Sequence, residues 1–120
     1  MIKNKLIVVL VAILIVLNVS AQKPIELFCK ISIAQAKRGI ELINIDYGAN
    51  DNFKIFRDSL IIINLRKVTL LDNQIDAFNY MSSLGWECIN IVSVIITPHP
   101  FSYDKFVCIF KKTFTKEDIK

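Results

Sequence analysis

The chain has 120 residues and a formal net charge of +4, with 15 basic and 11 acidic residues, one histidine, three glycines and three cysteines. The basic residues are scattered rather than gathered in a stripe or patch, which argues against nucleic acid as a partner. The glycines lie far apart, so a glycine-rich phosphate-binding loop is excluded.

The first 21 residues have the three parts of a secretory signal peptide. A positive start with Lys3 and Lys5 precedes an unbroken apolar run over residues 6–17, and small residues follow up to Ala21. We therefore predict cleavage between Ala21 and Gln22, delivery to the periplasm or the medium, and only transient contact with a membrane. An uncleaved anchor is the alternative, but a bilayer core requires about 20 apolar residues and this run is shorter.

Cleavage would leave residues 22–120, which is enough for one small domain with a modest core. Losing Lys3 and Lys5 lowers the formal charge from +4 to +2, so the mature protein would be close to neutral. We predict a single domain over residues 22–113 and a polar C-terminal tail over residues 114–120.

Two segments after this leader alternate apolar and polar residues, which is the pattern of half-buried strands. The alternating apolar residues are Leu27, Cys29, Ile31 and Ile33 in residues 26–35, and Ile43, Ile45 and Tyr47 in residues 41–47. The sequence Ala36-Lys37-Arg38-Gly39 supplies a turn between them. We predict an antiparallel hairpin.

Residues 48–71 carry weaker signals. Residues 48–52 are a loop by composition, and Phe53–Phe56 is expected to be a short edge strand. Leu60–Leu65 is dense in β-branched residues and is predicted to be a strand, with residues 67–71 extended after it.

Residues 73–84 are predicted to form a helix. Asn73 can cap the first turn, and Asp76 suits both a capping box and the helix dipole. An apolar stripe recurs at helical spacing and comprises Ile75, Ala77, Phe78, Met81 and Leu84. Gly85 follows where a left-handed C-terminal cap belongs.

The rest of the chain is predicted to form two strands. Trp86 begins the first of them, placed to fold back over the helix end, and residues 87–97 continue it. Residues 97–104 form a loop with two prolines, and Lys105–Thr113 closes the sheet.

The three cysteines, Cys29, Cys88 and Cys108, match no zinc-binding spacing, and their odd number means that at least one stays unpaired within the chain. With a turn near residues 100–101, Cys108 is expected opposite residue 92 or 93, on the order of 13–16 Å from Cys88. A Cys88–Cys108 disulfide is therefore disfavoured, and any bridge is expected to use Cys29. The alternative that we favour is that all three are small buried apolar residues.

Residues 67–112 resemble a group of small exported bacterial domains of unknown function. The likeness rests on the segment Asp76-Ala77-Phe78-Asn79-Tyr80-Met81, on Gly85-Trp86-Glu87 after it, and on a last strand ending in Lys111-Lys112. The resemblance implies a helix that ends in Gly-Trp-Glu, followed by two strands. It implies no activity, so no catalytic or binding residue is transferred.

Few residues could support catalysis or metal binding. His99 lies between two prolines with Ser102 and Asp104 nearby, but loop neighbours seldom have the geometry of a catalytic triad. Turn formation explains Asp46, Asp51 and Asp58 better than acid–base chemistry or calcium binding, and structural closure of the helix end explains Trp86-Glu87 better than ligand binding. We predict no catalytic, cofactor-binding or metal-binding residue.

Both faces of the last two strands are apolar. Cys88, Val92, Val94 and Ile96 are expected on one face and Ile89, Ile91 and Ile95 on the other; Phe106, Cys108 and Phe110 are expected opposite Val107 and Ile109. One helix covers one face of a sheet, so residues 49–66, a second copy or another protein must cover the second face, or it is an exposed patch.

The predicted fold is α+β, an antiparallel sheet of four or five strands in the order β-β-(β)-α-β-β with one helix packed on one face. The first hypothesis for function is a non-enzymatic interaction or structural module of the cell envelope, acting through the second sheet face or an exposed edge as a homodimer or with an envelope protein. The second is a binder of a small apolar ligand between helix and sheet. An enzyme is the third.

Overall fold

The computed structural model describes residues 3–11, 23–35, 40–96 and 103–120. Residues 3–11 are helical and exposed. Among the described residues, no helix is both long enough and apolar enough to cross a membrane. The predicted cleavage site at Ala21, the turn at residues 36–39 and the loop around His99 lie outside the described residues.

Four antiparallel strands form one sheet. They are β1 (Ile25–Gln35), β2 (Glu41–Asp46), β3 (Glu87–Ile96) and β4 (Tyr103–Phe114), in the spatial order β2-β1-β4-β3. The predicted antiparallel hairpin is confirmed, with Ile33 opposite Ile43. The α+β class with a four-stranded antiparallel sheet is confirmed as well.

The strand register assigns each side chain to one of two faces. On β1 and β4 the pairs Cys29–Phe110 and Ile31–Cys108 are buried, and they lie on what we call the helix-covered face. The intervening residues, such as Phe28 and Val107, lie on the opposite face, which we call the open face.

The prediction for Leu60–Leu65 was wrong, because Ile61–Arg66 is an α-helix, α1. Its buried residues Ile61 and Leu65 are followed by buried Val68, at the helical spacing i, i+4, i+7. The Asp58 carboxylate also accepts a hydrogen bond of 2.9 Å from the Leu60 amide, ahead of the first turn. Burial along one helical stripe therefore outweighed the β-propensity of the isoleucines.

The neighbours of α1 are also helical rather than extended. Asn50–Phe53 and Lys67–Leu70 are 3₁₀ helices. The strand predicted over Phe53–Phe56 is absent from the described residues, where Phe56 makes a single bridge to Ile119. The fifth strand that the sequence allowed is therefore replaced by helical turns.

The one helix predicted in the domain, over residues 73–84, is confirmed as α2 (Gln74–Ser83). The Asn73 side chain caps it by accepting a hydrogen bond of 2.8 Å from the Asp76 amide. Ala77 and Met81 are fully buried, but Ile75 is exposed and does not belong to the apolar stripe. Ile75 lies two residues before Ala77, which is about 200° around the helix, and it is therefore on nearly the opposite side from the buried residues.

The prediction of a polar tail over residues 114–120 was wrong for Phe114 and for the segment that leads to Ile119. Phe114 ends β4, is buried, and stacks on Phe56 with 4.0 Å between ring centroids. Lys116–Asp118 forms a 3₁₀ turn that brings Ile119 to its bridge with Phe56. Residues 114–119 therefore belong to the folded domain.

A β-bulge in β3 changes the predicted faces of that strand. The register shifts between Cys88 and Asn90, so Cys88 pairs with Phe110 on the helix-covered face while Val92 pairs with Val107 on the open face. The prediction that Cys88 shares a face with Val92 and Val94 was wrong, because the extra residue reverses the alternation.

The same bulge affects the expected cysteine geometry. Cys108 lies opposite Ile91 rather than residue 92 or 93, and Cys88 lies only two β4 positions away, opposite Phe110. The predicted separation of 13–16 Å between Cys88 and Cys108 was therefore too large, because the two cysteines are offset by only two residues along the strands. Cys29, Cys88 and Cys108 are all free thiols. The prediction that all three are buried is confirmed for Cys29 and Cys108 but was wrong for Cys88, which is exposed.

Candidate interaction surface

All the helical segments that follow the first hairpin pack on the helix-covered face. Phe78 of α2 meets Phe110 edge to face at 5.7 Å, and Phe53 meets Tyr47 in the same way at 5.9 Å. Residues 49–66 therefore share the face of α2, with Phe53, Ile61 and Leu65 in the common core. In the described part of the chain they leave the second face uncovered.

The open face is apolar at one side of the sheet and mixed at the other. Val92 and Val94 of β3 are exposed there, beside the half-buried Val107 and Ile109 of β4. We call these four residues the valine block. Around it the open face carries exposed apolar and charged side chains on β1 and β2 and two half-buried lysines on β4: Phe28, Lys30, Leu42, Asp46, Lys105 and Lys111.

β3 lies at one edge of the sheet. Cys88 to Ile96 contains no charged residue and no proline, and Ile89 and Ile91 are exposed as well as Val92 and Val94. Exposed edge strands of monomeric proteins are usually protected by charges, prolines or bulges. Here the described chain offers only the bulge at one end of the strand.

The edge formed by β2 is partly closed. The Glu41 amide donates a hydrogen bond of 3.2 Å to the carbonyl oxygen of Asp72, which belongs to the segment leading into α2. The two edges therefore differ, and β3 is the edge that stays open in the described residues.

The Gly-Trp-Glu turn is a structural closure, as predicted. Gly85 has φ of +87°, and the Trp86 amide donates a hydrogen bond of 3.0 Å to the carbonyl oxygen of Met81. The Trp86 side chain is 3% exposed and meets Phe114 edge to face at 6.3 Å. Its indole is therefore packed in the core.

The aspartates form turns, also as predicted. The Asp46 carboxylate accepts a hydrogen bond of 3.0 Å from the Gly48 amide, and Asp58 does the same for Leu60. Asp51 forms an exposed ion pair of 2.7 Å with Lys54. No group of three or more metal-ligating side chains occurs among the described residues, while His99 and Ser102 lie outside them.

A shallow groove of about 470 Å³ opens between α2 and the start of β3. Phe78 and Ser82 of α2 line one wall, and Trp86, Cys88 and Phe110 line the other. The exposed Cys88 thiol borders this groove because of the bulge. The sequence suggested a ligand site between helix and sheet but did not place Cys88 in its wall, since only the irregular spacing of the polar residues Asn90 and Ser93 hints at the bulge.

Comparison of the chain with protein-family models, with curated proteins and with solved structures finds no match. The valine block and the adjoining edge of β3 are therefore the features from which a function is argued.

Proposed function

We propose that the chain is an exported, non-enzymatic interaction module of the cell envelope, which binds protein through the open face and the edge of β3. The observation that carries the proposal is the exposure of Val92 and Val94 beside an unpaired, uncharged strand edge. Large contiguous apolar patches on a monomer commonly mark interaction sites. An added β-strand would satisfy the edge amides and carbonyls while covering the apolar side chains.

Export is proposed on residues 1–21 alone, with their positive start and apolar run. Intact mass measurement of the protein recovered from the cell tests it directly. We expect a chain that begins at Gln22 and is found in the periplasm or medium; a full-length chain held in the cytoplasm would refute export.

Binding through the open face is tested by site-specific photo-crosslinking in the producing cell. A photoreactive phenylalanine analogue at Val92, on the open face at the edge of β3, is compared with the same analogue at Ile63 on α1. The two positions are similarly exposed, at 45% and 53%. We expect a discrete crosslinked product from position 92 and none from position 63.

A third position, Phe28, extends this experiment to β1, two strands away from the β3 edge. Mass spectrometry of the product then identifies what was captured. Absence of a product at both Phe28 and Val92, with normal protein levels, would contradict the proposed function. Equal products at Val92 and Ile63 would mean random encounters and would also contradict it.

A second candidate function is the binding of a small apolar ligand in the groove between α2 and β3. The volume of the groove supports this function, since small-molecule sites commonly measure about 300–1,000 Å³. Its test is native mass spectrometry of the protein as recovered, compared with the Phe78→Asp variant. A bound small molecule that is lost in the variant would favour this second function.

A further inference from the structure

We infer that the protein partner is a second copy of this chain, joined through β3 to form one continuous eight-stranded antiparallel sheet. This inference rests on the proposed function and adds the identity of the partner. It follows from three properties of β3, which are its chemistry as an edge, its self-complementary register, and the position of the charges around it.

The edge lacks the devices that keep monomers apart. No lysine, other charged residue or proline occurs between Cys88 and Ile96, and the exposed apolar side chains lie on both faces of the strand. Past the bulge, seven consecutive residues from Asn90 to Ile96 pair regularly with β4. Their outer backbone groups could form about six to eight hydrogen bonds with an added antiparallel strand.

A two-fold axis at Ser93 makes this strand complementary to itself. Ser93 would then lie opposite Ser93 of the partner subunit, and Val92 opposite the partner's Val94. Because directly opposite residues share a face, the two valine blocks would merge on the open face. The two pairs of Val92 with Val94 and the pair of Ser93 residues are cross-strand pairs of the kinds that stabilise neighbouring strands. Such isologous contacts are the usual basis of closed dimers.

The charges favour edge pairing over stacking of two open faces. Lys105 lies one strand inside the edge, opposite Val94, so edge pairing would separate the two copies of Lys105 by the valines of both chains. Face-to-face stacking would instead bring Lys30, Lys105 and Lys111 of each copy into the interface. Taking these lysines out of water is costly, as is taking out the carboxylates of Glu26, which lies near Lys111, and of Asp46, which lies opposite Lys30. The edge is therefore the better site for a second copy.

The strength of the dimer is limited by its size. Seven paired residues extend over about 24 Å of strand. Stable specific interfaces commonly bury about 800 Å² on each partner, and edge pairing alone buries less. We therefore expect a reversible dimer whose population increases with protein concentration.

Light scattering after gel filtration tests this on the protein as recovered from the cell, with reductant present throughout. We expect the wild-type mass to rise from monomer towards dimer with concentration. Val92→Lys should stay monomeric, because each of the two paired β3 strands would then carry a lysine at the interface, and the two charges would repel each other. Val92→Thr keeps the branched side chain and should dimerise, as should Leu42→Lys, which places the same charge on the opposite edge.

A disulfide trap reports the register independently of any loss of association. In a Cys88→Ser background, Ser93→Cys should form an intermolecular disulfide under mild oxidation, because the two residues would be directly opposite across the axis. Asn44→Cys, at an exposed position on β2, should not. Far-ultraviolet circular dichroism confirms that each variant is folded.

Three outcomes overturn the inference: a wild-type monomer at all concentrations, a dimer that Val92→Lys leaves intact, or a dimer abolished by Leu42→Lys. A wild-type monomer that nevertheless gives crosslinks to a different protein at Val92 in cells would reject self-association and retain the proposed function. A monomer that gives no crosslink in cells would reject both.

Discussion

The side-chain ammonium group of Lys112 donates a hydrogen bond of 2.7 Å to the carbonyl oxygen of Leu84, the C-terminal capping residue of α2. The same ammonium group lies 5.1 Å from the centre of the Phe114 ring. A cation at the C-terminus of a helix is favoured by the helix dipole. Lys112, the second residue of the basic pair, thus contacts the end of α2 just before the Gly-Trp-Glu turn, 28 residues away along the chain.

Replacing Lys112 by methionine should destabilise the domain by about 1–2 kcal/mol, because it removes a charge-assisted hydrogen bond while keeping much of the side-chain volume. The matched control is Lys111→Met, which removes only a long, partly exposed contact of 3.7 Å with Glu26. That change should cost less than about 0.5 kcal/mol. Urea unfolding monitored by Trp86 fluorescence measures both, and equal effects would contradict a special role for Lys112.

Gly85→Ala should destabilise the protein by about 1–2 kcal/mol or more, since φ of +87° is unfavourable for a residue with a Cβ. The new Cβ would also come within 3.2 Å of Cε of Lys112. Gly48→Ala has a similar φ of +78°, but its nearest neighbour would be at an ordinary 3.6 Å. In urea titrations Gly85→Ala should be the more damaging change; the reverse order would mean that the Lys112 contact does not matter.

The sequence predicted the elements whose burial repeats regularly over several residues. The alternation in β1 and β2 and the cap, stripe and glycine around α2 are local signals, and they were confirmed except for Ile75, which lies outside the stripe. Leu60–Leu65 failed because its isoleucines favour strands intrinsically, while the spacing of Ile61, Leu65 and Val68 suits a helix. Tertiary burial decided between the two, and a propensity scale does not contain it.

The candidate surface could be predicted in part. Apolar residues at both even and odd positions of the last two strands indicated an uncovered face, and Val92 and Val94 are exposed there. The location of Cys88 could not be derived, because a bulge depends on pairing with β4 rather than on β3 itself. The assignment of residues 49–66 to the helix-covered face likewise depends on long-range contacts such as Phe56 with Phe114.

Asn73→Ala should cost about 1 kcal/mol, because the Asp76 amide loses the side-chain acceptor that caps α2. Asn79→Ala makes the same chemical change at an exposed position inside the same helix. It should be neutral or slightly stabilising, since alanine has the higher helix propensity. Thermal unfolding followed by circular dichroism distinguishes them, and similar melting temperatures for the two variants would refute the cap.

Phe114→Ala should destabilise the domain by about 3–5 kcal/mol, because it empties the space beneath Phe56 and Trp86. Phe28→Ala deletes the same ring from the open face, where 51% of the residue is exposed. In the monomer Phe28→Ala should lower the free energy of unfolding by less than about 1 kcal/mol, because a half-exposed ring loses little burial. Unfolding free energies from urea titration test the pair, and a large loss for Phe28→Ala would mean that the open face is covered within the chain.

The cysteines should fall into one reactive and two protected thiols. Cys88 is exposed, whereas Cys29 and Cys108 are buried. Burial, assisted by the Asp46 carboxylate, raises the pKa of Cys29 to about 12, and burial with the neighbouring Cys88 raises the pKa of Cys108 to about 11. At about pH 8 an aromatic disulfide reagent should label one thiol quickly, and Cys88→Ala should abolish that fast phase. Fast labelling of two thiols would contradict the packing.

The same pKa values predict a loss of stability at high pH. The folded protein keeps the protons of Cys29 and Cys108 above the ordinary thiol pKa of 9.0, where the unfolded chain releases them. The free energy of unfolding should therefore decrease as the pH rises from about 9 towards 11–12. Urea midpoints at about pH 8 and pH 10 measure the slope for the wild type and for the double variant Cys29→Ala/Cys108→Ala. The double variant should have the shallower slope, because it lacks the two buried thiols and keeps every other ionisable side chain. Identical slopes would refute this origin of the pH dependence.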